Sequence, residues 1–274
     1  MTIANPGLLD GLITASIEAG RIILDVYARP IDVAFKADAS PVTEADGLAE
    51  AVLLAALERL APGVPVVAEE SVAAGRVPPA ADRFFLVDPL DGTKEFIHRN
   101  GEFTVNVALI EHGVPVMGVV HAPAVGRLFA GGSDGAWEMA VDGSVAGERR
   151  PIHVRELPTE GATLLLSRSH ATAATDAFRP TIAVAERRVI GSSLKFCLIA
   201  AGEADIYPRF GPTMEWDTAA GDAVLRAAGG IVALTDGTPF PYGKRDRPGL
   251  ADFANPSFIA ASDLHLVAFS HYLV

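Results

Sequence analysis

Two aspartates three residues apart, at the end of an apolar strand candidate, form the sharpest chemical pattern in the chain: Asp88-Pro-Leu-Asp-Gly-Thr. Hard cations such as Mg²⁺ take oxygen ligands from carboxylates and backbone carbonyls, and Asp88, the Leu90 carbonyl and Asp91 could supply them in one tight turn. If a helix begins at Gly92-Thr93, its free N–H groups favour an anion at the same place. The segment predicts a metal site beside a phosphate cradle, although a plain turn with a helix cap has the same pattern.

Further acids could join this site. Glu69 and Glu70 end a strand candidate at residues 64–70, where neighbouring side chains point to opposite faces, so at most one should face a metal. Solvent exposure is the simpler interpretation of both. Asp217 lies at the start of a predicted helix, where Asp is a good N-cap, and one carboxylate can cap a helix and bind a metal. Asp46 is equally well explained as a polar residue on a helix face.

The composition limits the classes of function. The chain has 274 residues, of which 50% are hydrophobic and 20% charged, so it can bury a sizeable core and is not disordered by composition. The net charge of −12 repels a nucleic-acid backbone, so a nucleic-acid polymer is not the expected partner. It also repels small phosphorylated substrates, so a site for them needs local cations or metal ions.

Cysteine content and hydropathy point to a compartment. Cys197 is the single cysteine, which fits a reducing environment and is expected in the core rather than as a nucleophile. Residues 1–20 are typical of an amphipathic helix and not of a signal peptide, and no apolar stretch is long enough to span a bilayer. A soluble cytoplasmic protein is expected, with loose attachment to the inner membrane left open.

Periodicity divides the chain into two parts. Helical spacing over residues 8–27 and 42–60 is followed by strand candidates that indicate a mostly antiparallel sheet. The second part alternates strands and helices and predicts a smaller α/β unit. We expect a first part at 1–150 and a second at 151–274, packed as one structural unit.

Four motifs occur in order: K-x-D-x-S-P-V-T-x-A-D from Lys36, E-E-S from Glu69, D-P-L-D-G-T-K-E-F from Asp88 and W-D-T-A-A-G from Trp216. Their order and spacing resemble the inositol monophosphatase superfamily, from about residue 10 to about residue 260. The resemblance implies an α+β fold, a layered α/β/α/β/α sandwich with a mostly antiparallel first sheet. It also implies a lithium-sensitive, Mg²⁺-dependent phosphatase.

Two longer segments narrow the resemblance to one branch of the superfamily. G-T-K-E-F-I-H-R-N-G-E-F-T-V-N from Gly92, and the segment from Gly191 that ends in Y-P-R-F-G-P-T, are similar to the bacterial 3′(2′),5′-bisphosphate nucleotidase branch. That branch implies removal of the 3′-phosphate of adenosine 3′,5′-bisphosphate. An inositol or other sugar monophosphatase is the alternative, because it shares the metal ligands. A non-catalytic metal or nucleotide sensor is a third interpretation, against which the intact set of acids argues.

The resemblance also implies roles for individual residues. It assigns two or three Mg²⁺ ions to Glu69, Asp88, the Leu90 carbonyl, Asp91 and Asp217. Thr93, hydrogen-bonded to Asp46, orients the attacking water together with Glu69, and no covalent phosphoenzyme is needed. The implied substrate contacts are Glu69, Leu90, Asp91, Gly92, Thr93, His170, Ser192, Lys195, Arg209 and Asp217.

Three of those contacts could bind a second phosphate. Lys195 lies at a predicted helix start, which favours an anion. Arg209 ends a strand candidate, where a bidentate phosphate contact is possible, although an exposed surface arginine is the simpler interpretation. His170 lies in the loop where the branch places substrate contacts. A monomer and a homodimer both stay open.

Overall fold

The computed structural model describes residues 7–36, 38–169, 172–177, 182–263 and 265–266. The α-helices in these ranges are α1 (Leu8–Tyr27), α2 (Glu44–Leu60), α3 (Glu69–Ala73), α4 (Thr93–Ile97), α5 (Ala173–Ala177), α6 (Leu194–Ala200) and α7 (Glu215–Ala227), and a short 3-10 helix spans Pro123–Val125. The strands are β1 (Ala34–Phe35), β2 (Pro41–Val42), β3 (Val66–Ala68), β4 (Arg83–Asp91), β5 (Thr104–Glu111), β6 (Val114–Ala122), β7 (Arg127–Gly132), β8 (Gly135–Asp142), β9 (Val145–Ala146), β10 (Arg150–Ile152), β11 (Ala162–Ser167), β12 (Val184–Ile190), β13 (Ile206–Arg209), β14 (Ile231–Leu234) and β15 (Phe258–Ala261).

The larger sheet has the strand order β10-β8-β7-β6-β5-β4-β3, with β9 paired to β8. Its pairs are antiparallel except for β3 and β4, which run parallel, so the predicted mostly antiparallel sheet is confirmed. The periodic apolar faces of α1 and α2 cover one side of this sheet and form a continuous core with it. The short strand β10 spans the proposed boundary at residues 150 and 151.

Helices α6 and α7 lie between this sheet and a smaller one. Two glycines of the large sheet bring α7 close: a Cβ on Gly118 would lie 2.5 Å from the Ala220 carbonyl oxygen, and one on Gly131 would lie 2.7 Å from the Val224 Cα. A side chain at either position would push α7 away from the sheet. These glycines therefore set the distance between the large sheet and α7, the helix that carries Asp217.

The smaller sheet has the order β12-β11-β13-β15-β14. Strand β11 runs parallel to β12 and β13, and β15 is antiparallel to both β13 and β14. The far face of this sheet buries a third apolar cluster that includes Leu266. The predicted α+β class with layered helices and sheets is confirmed.

The prediction of a strand at residues 64–70 is wrong at its C-terminal end. Strand β3 stops at Ala68, where its pairing with Val87 ends, and Glu69 and Glu70 open helix α3 instead of extending the strand. Glu50 of α2 holds this helix start, because its carboxylate accepts the Glu70 N–H at 2.8 Å and the Ser71 hydroxyl at 2.7 Å. The side chains of Glu69 and Glu70 therefore project from successive positions of a helix and not to opposite faces of a strand.

Within the described ranges, none of the helices combines the length and the apolar character that crossing a membrane requires.

Candidate functional site

Three acids far apart in sequence meet at one point. Oxygens of Glu69, Asp88 and Asp217 all lie within 4.8 Å of one another. Glu69 is the first residue of α3, Asp88 lies near the end of β4, and Asp217 lies in the first turn of α7. We call this group the three-acid cluster.

The cluster is electrostatically unfavourable without a cation. Burial raises the pKa of Asp88 well above its usual value, and the charges of Glu69, Asp91 and Asp217 raise it further. Burial likewise raises the pKa of Asp217, followed by the charges of Asp91 and Glu69. Buried like charges of this kind are stabilised by a metal ion. An all-oxygen donor set fits a hard divalent cation such as Mg²⁺ or Ca²⁺.

Backbone groups fix the orientation of two of these carboxylates. Asp88 accepts the Leu90 N–H at 3.0 Å, and Asp217 accepts the Met214 N–H at 2.8 Å. Asp217 is therefore not the N-cap itself; it lies three residues into the helix start and bonds back to Met214, so capping and cluster membership coexist. A break in the pairing between Asp88 and Asp91 redirects β4 here, as irregular strand ends near active sites often do.

Asp91 lies outside the three-acid cluster and has its own partners. Its Oδ2 accepts the Ser193 N–H at 2.5 Å and the Asn106 amide at 3.5 Å. The Ser193 hydroxyl in turn contacts Asn106 at 2.7 Å and Thr104 at 2.8 Å. Burial raises the pKa of Asp91 to about 6, against the lowering effect of Lys195. A carboxylate from β4 is thus held by the turn that precedes α6.

The expected contact between Thr93 and Asp46 is present. The Thr93 hydroxyl lies 3.3 Å from Asp46 Oδ1 and 3.3 Å from the Leu90 carbonyl oxygen. The other oxygen of Asp46 accepts the N–H and the hydroxyl of Thr43, both at 2.8 Å. Asp46 is buried, which raises its pKa, so it is not a solvated residue on a helix face. Gly92 brings the chain into α4 with φ at +91°, a conformation that favours glycine.

Lys36 is a site residue for which sequence reasoning found no role. Its ammonium lies 2.6 Å from Glu69 Oε1 and 2.5 Å from Glu70 Oε1. Burial alone would lower the pKa of Lys36, but the two carboxylates outweigh it and raise that pKa above its usual value. The sequence points to this role only because Lys36 is the first residue of the first motif, 33 residues before Glu69.

Most of these groups line one cavity of about 690 Å³, whereas Asp46 does not line it and contacts the site through Thr93. The cavity contains the three-acid cluster together with Asp91, Gly92, Thr93 and Ser192, so the structure brings most of the predicted site together. His170 lies outside the described residues.

Two cationic side chains in the cavity wall are almost fully buried. Lys195 is 3% exposed and Arg209 4%, so Arg209 is not an ordinary surface arginine. The Lys195 ammonium donates to the carbonyls of Ile190 and Ser192, and burial lowers its pKa to about 8. Arg209 donates to the Pro212 carbonyl at 2.7 Å, while its Nε has no hydrogen-bond partner within the described residues.

Comparison with known proteins identifies relatives of the chain. The Inositol monophosphatase family matches residues 7–263. The 3′(2′),5′-bisphosphate nucleotidase CysQ of Escherichia coli strain K12 is 45% identical over 253 residues, which cover 92% of this chain and 98% of that protein.

Solved structures give the same result. CysQ from Bacteroides thetaiotaomicron has a TM-score of 0.77 and 35% identity, covering 96% of this chain and 100% of that one. An inositol monophosphatase from Anabaena has a TM-score of 0.71 and 26% identity, covering 96% and 93%. The predicted family is confirmed, and the chain belongs to the inositol monophosphatase family.

Proposed function

We propose that the chain is a metal-dependent 3′(2′),5′-bisphosphate nucleotidase that converts adenosine 3′,5′-bisphosphate to AMP and phosphate. The observation that carries this proposal is the placement of buried Lys195 and Arg209 in the same cavity as the three-acid cluster. A substrate with one phosphate at the acids and a second at the cations would match both groups of side chains that line that cavity. The curated relatives named CysQ support the same substrate class.

The proposed cofactor is Mg²⁺, with two or three ions per site. Glu69, Asp88 and Asp217 would hold it, together with Asp91 and the Leu90 carbonyl. A divalent cation bound there supplies a more acidic water and charge neutralisation for phosphoryl transfer. Family membership further leads us to propose inhibition by lithium.

The protein's own residues would align the attacking water. The Thr93 hydroxyl, within 3.3 Å of Asp46 and of the Leu90 carbonyl, can donate to one of them and accept a hydrogen bond from water. Glu69 at the start of α3 would accept the water's other proton. Because both groups are fixed before substrate binds, little reorganisation is needed at the moment of reaction.

The single cysteine is not a candidate for covalent catalysis. Cys197 is completely buried in the core, where burial raises the pKa of its thiol. A buried neutral thiol is a poor nucleophile. In line with the family resemblance, we propose direct attack by water without a covalent phosphoenzyme.

The cationic groups would provide selectivity. The acids engage only the phosphate that is cleaved, so discrimination between substrates must come from the rest of the molecule. Lys195 and Arg209 lie in the wall of the cavity, where a guanidinium could donate hydrogen bonds to phosphate oxygens. Ser192, Gly92 and His170 are further proposed substrate contacts, the last from sequence alone.

An inositol or other sugar monophosphatase is the second candidate, since the Anabaena inositol monophosphatase shares the fold at 26% identity. Such a substrate has no second phosphate for Lys195 and Arg209 to bind. The proposed location is the cytoplasm, which rests on the single cysteine.

Phosphate release from adenosine 3′,5′-bisphosphate, measured with Mg²⁺ and again with EDTA, tests the proposed activity. We expect repeated turnover with Mg²⁺ and none with EDTA. Binding of the nucleotide without release of phosphate would instead identify a sensor.

A further inference from the structure

A group of contacts next to the cavity has no part in the proposed chemistry. It joins two acids of the segment after Asp91 to two loops of the second sheet. Its members, here called the carboxylate clasp, are Glu95, Glu102, Arg168, Ser169 and Gly191. Both acids belong to the segment from Gly92 that resembles the nucleotidase branch.

Glu102 is the centre of the clasp. Its two carboxylate oxygens accept Nε and Nη2 of Arg168, each at 2.8 Å, in a bidentate pair. One of the same oxygens accepts the Gly191 N–H at 2.6 Å. Arg168 also donates to the Val189 carbonyl at 2.7 Å. A single carboxylate thus fixes both the loop after β11 and the turn after β12.

Glu95 makes the second connection. It is 3% exposed, and its carboxylate accepts the Ser169 hydroxyl at 2.5 Å. It also lines the cavity. The loop that follows β11 is therefore held at two consecutive residues, Arg168 and Ser169, by two acids of one segment.

Gly191 allows the two parts to come this close. A Cβ at this position would lie 2.6 Å from Glu95 Cγ and 2.8 Å from the Glu102 carbonyl oxygen. Real Cβ atoms do not approach backbone atoms so closely, so any larger residue would push the turn away from Glu102.

The turn held by Glu102 is the turn that holds Lys195. Ile190 and Ser192 lie on either side of Gly191, and their carbonyl oxygens accept hydrogen bonds from the Lys195 ammonium. A displacement of Gly191 moves both carbonyls together. The position of the ammonium in the cavity wall thus depends on the bond between Glu102 and Gly191.

We propose that Glu102, clamped by Arg168, is a positioning residue that sets the place of Lys195 for the second phosphate of the substrate. This inference rests on the proposed nucleotidase function. Glu102 does not line the cavity, so it acts through the turn and not by contact with substrate. Loss of a purely structural ion pair would change the kinetics of all substrates alike. Loss of a positioning pair would change mainly the kinetics of the substrate that carries the second phosphate.

Steady-state kinetics of Glu102→Gln, Arg168→Gln and the double variant test this, with adenosine 3′,5′-bisphosphate and p-nitrophenyl phosphate as substrates. We expect KM for the bisphosphate to rise about tenfold in each single variant, as for one misplaced charge-assisted hydrogen bond. The double variant should resemble the single ones, because the residues act as a unit. Turnover of p-nitrophenyl phosphate should change by less than about threefold.

Glu186→Gln is the matched control. Glu186 forms a bidentate pair with Arg188 at 2.8 and 2.7 Å on the same sheet, but neither residue lines the cavity. The control should leave KM for both substrates unchanged. Thermal midpoints report whether each variant folds.

Equal losses on both substrates in Glu102→Gln, or a KM for the bisphosphate equal to that of Glu186→Gln, would overturn the inference. If Glu102→Gln does not fold, Arg168→Lys takes its place. Arg168→Lys keeps the positive charge but loses the bidentate hydrogen bonding of the guanidinium. It should therefore raise KM for the bisphosphate by less than Arg168→Gln does. An unchanged KM in both Arg168 variants would also overturn the proposal. Wild-type protein that does not hydrolyse the bisphosphate at all would refute the proposed function itself, and this inference with it.

Discussion

The ammonium of Lys36 lies 2.6 Å from the carboxylate of Glu69, so one member of the three-acid cluster has a positive partner supplied by the protein. The same ammonium contacts Glu70 at 2.5 Å. Both acids are less than one-third exposed. Lys36 thus supplies part of the positive charge that the cluster needs before any metal binds.

Replacing Lys36 by Met should lower the thermal midpoint of the metal-free protein and enlarge the increase that Mg²⁺ produces. The substitution leaves two partly buried carboxylates without their partner, and a cation that binds only the folded state restores stability. Differential scanning fluorimetry with EDTA and with Mg²⁺ measures both effects. Arg21→Met, which breaks the exposed pair with Asp25, is the control. Equal midpoint changes with EDTA and with Mg²⁺ would contradict this account of Lys36.

Asp88→Asn should lower kcat/KM by at least about a hundredfold and abolish the Mg²⁺-dependent increase in midpoint. In EDTA the same variant should be more stable than wild type. The folded-state pKa of Asp88 is raised above its unfolded value, so at neutral pH ionised Asp88 opposes folding, and the neutral amide removes that penalty. The exposed Asp142→Asn is the control. Near-normal turnover with Mg²⁺ in Asp88→Asn would show that the metal assignment is wrong.

His121 should make stability depend on pH on the acidic side. It is 2% exposed, its Nδ1 lies 2.9 Å from the Ser16 carbonyl, and the described residues give its Nε2 no hydrogen-bond partner. Burial lowers the pKa of His121, so below pH ~6.5 the unfolded chain binds a proton that the folded chain does not. Its destabilising effect is absent above that pH and grows as pH falls towards the folded-state pKa.

Urea unfolding at pH 8 and at pH 5.5 measures this effect. We expect the loss of unfolding free energy between the two conditions to be smaller in His121→Gln than in wild type. The exposed His153→Gln should behave like wild type. An identical pH dependence in all three proteins would exclude His121 as the cause.

The sequence predicted those features of the site that depend on local patterns. The helical spacing of residues 8–27 corresponds to α1 at both ends, and the segment from Asp88 to Thr93 forms the predicted turn and short helix. Motif order alone sufficed to bring Asp217 to the same cavity. The helix and the turn are predicted from neighbouring residues, whereas Asp217 was assigned to the site through the order of the family's motifs.

The features that the sequence did not predict depend on long-range contacts. Glu69 begins a helix because Glu50 of another helix accepts the following N–H and hydroxyl groups. Strand β15 is four apolar residues whose assignment rests on pairing with two strands far away in the chain. The burial of Arg209 and the contact between Lys36 and Glu69 likewise become visible only after folding.

Arg209→Ala should weaken use of adenosine 3′,5′-bisphosphate far more than use of p-nitrophenyl phosphate. A charge-assisted hydrogen bond contributes roughly 1.5–3 kcal/mol, so kcat/KM for the bisphosphate should fall at least about tenfold. Arg226→Ala removes a partly buried arginine that pairs with Asp222 outside the cavity, and it should not change the ratio between the two substrates. Equal losses on both substrates in Arg209→Ala would remove Arg209 from the substrate site.

The central claim concerns substrate class, and the ratio of kcat/KM for adenosine 3′,5′-bisphosphate to that for inositol 1-phosphate tests it most directly. Two charge-assisted hydrogen bonds to the second phosphate are sufficient for the ~2.7 kcal/mol that a hundredfold preference requires. With wild-type protein and Mg²⁺, we predict a ratio of at least about a hundred in favour of the bisphosphate. Equal efficiency on the two substrates, or a preference for inositol 1-phosphate, would contradict the nucleotidase assignment and favour a sugar phosphatase.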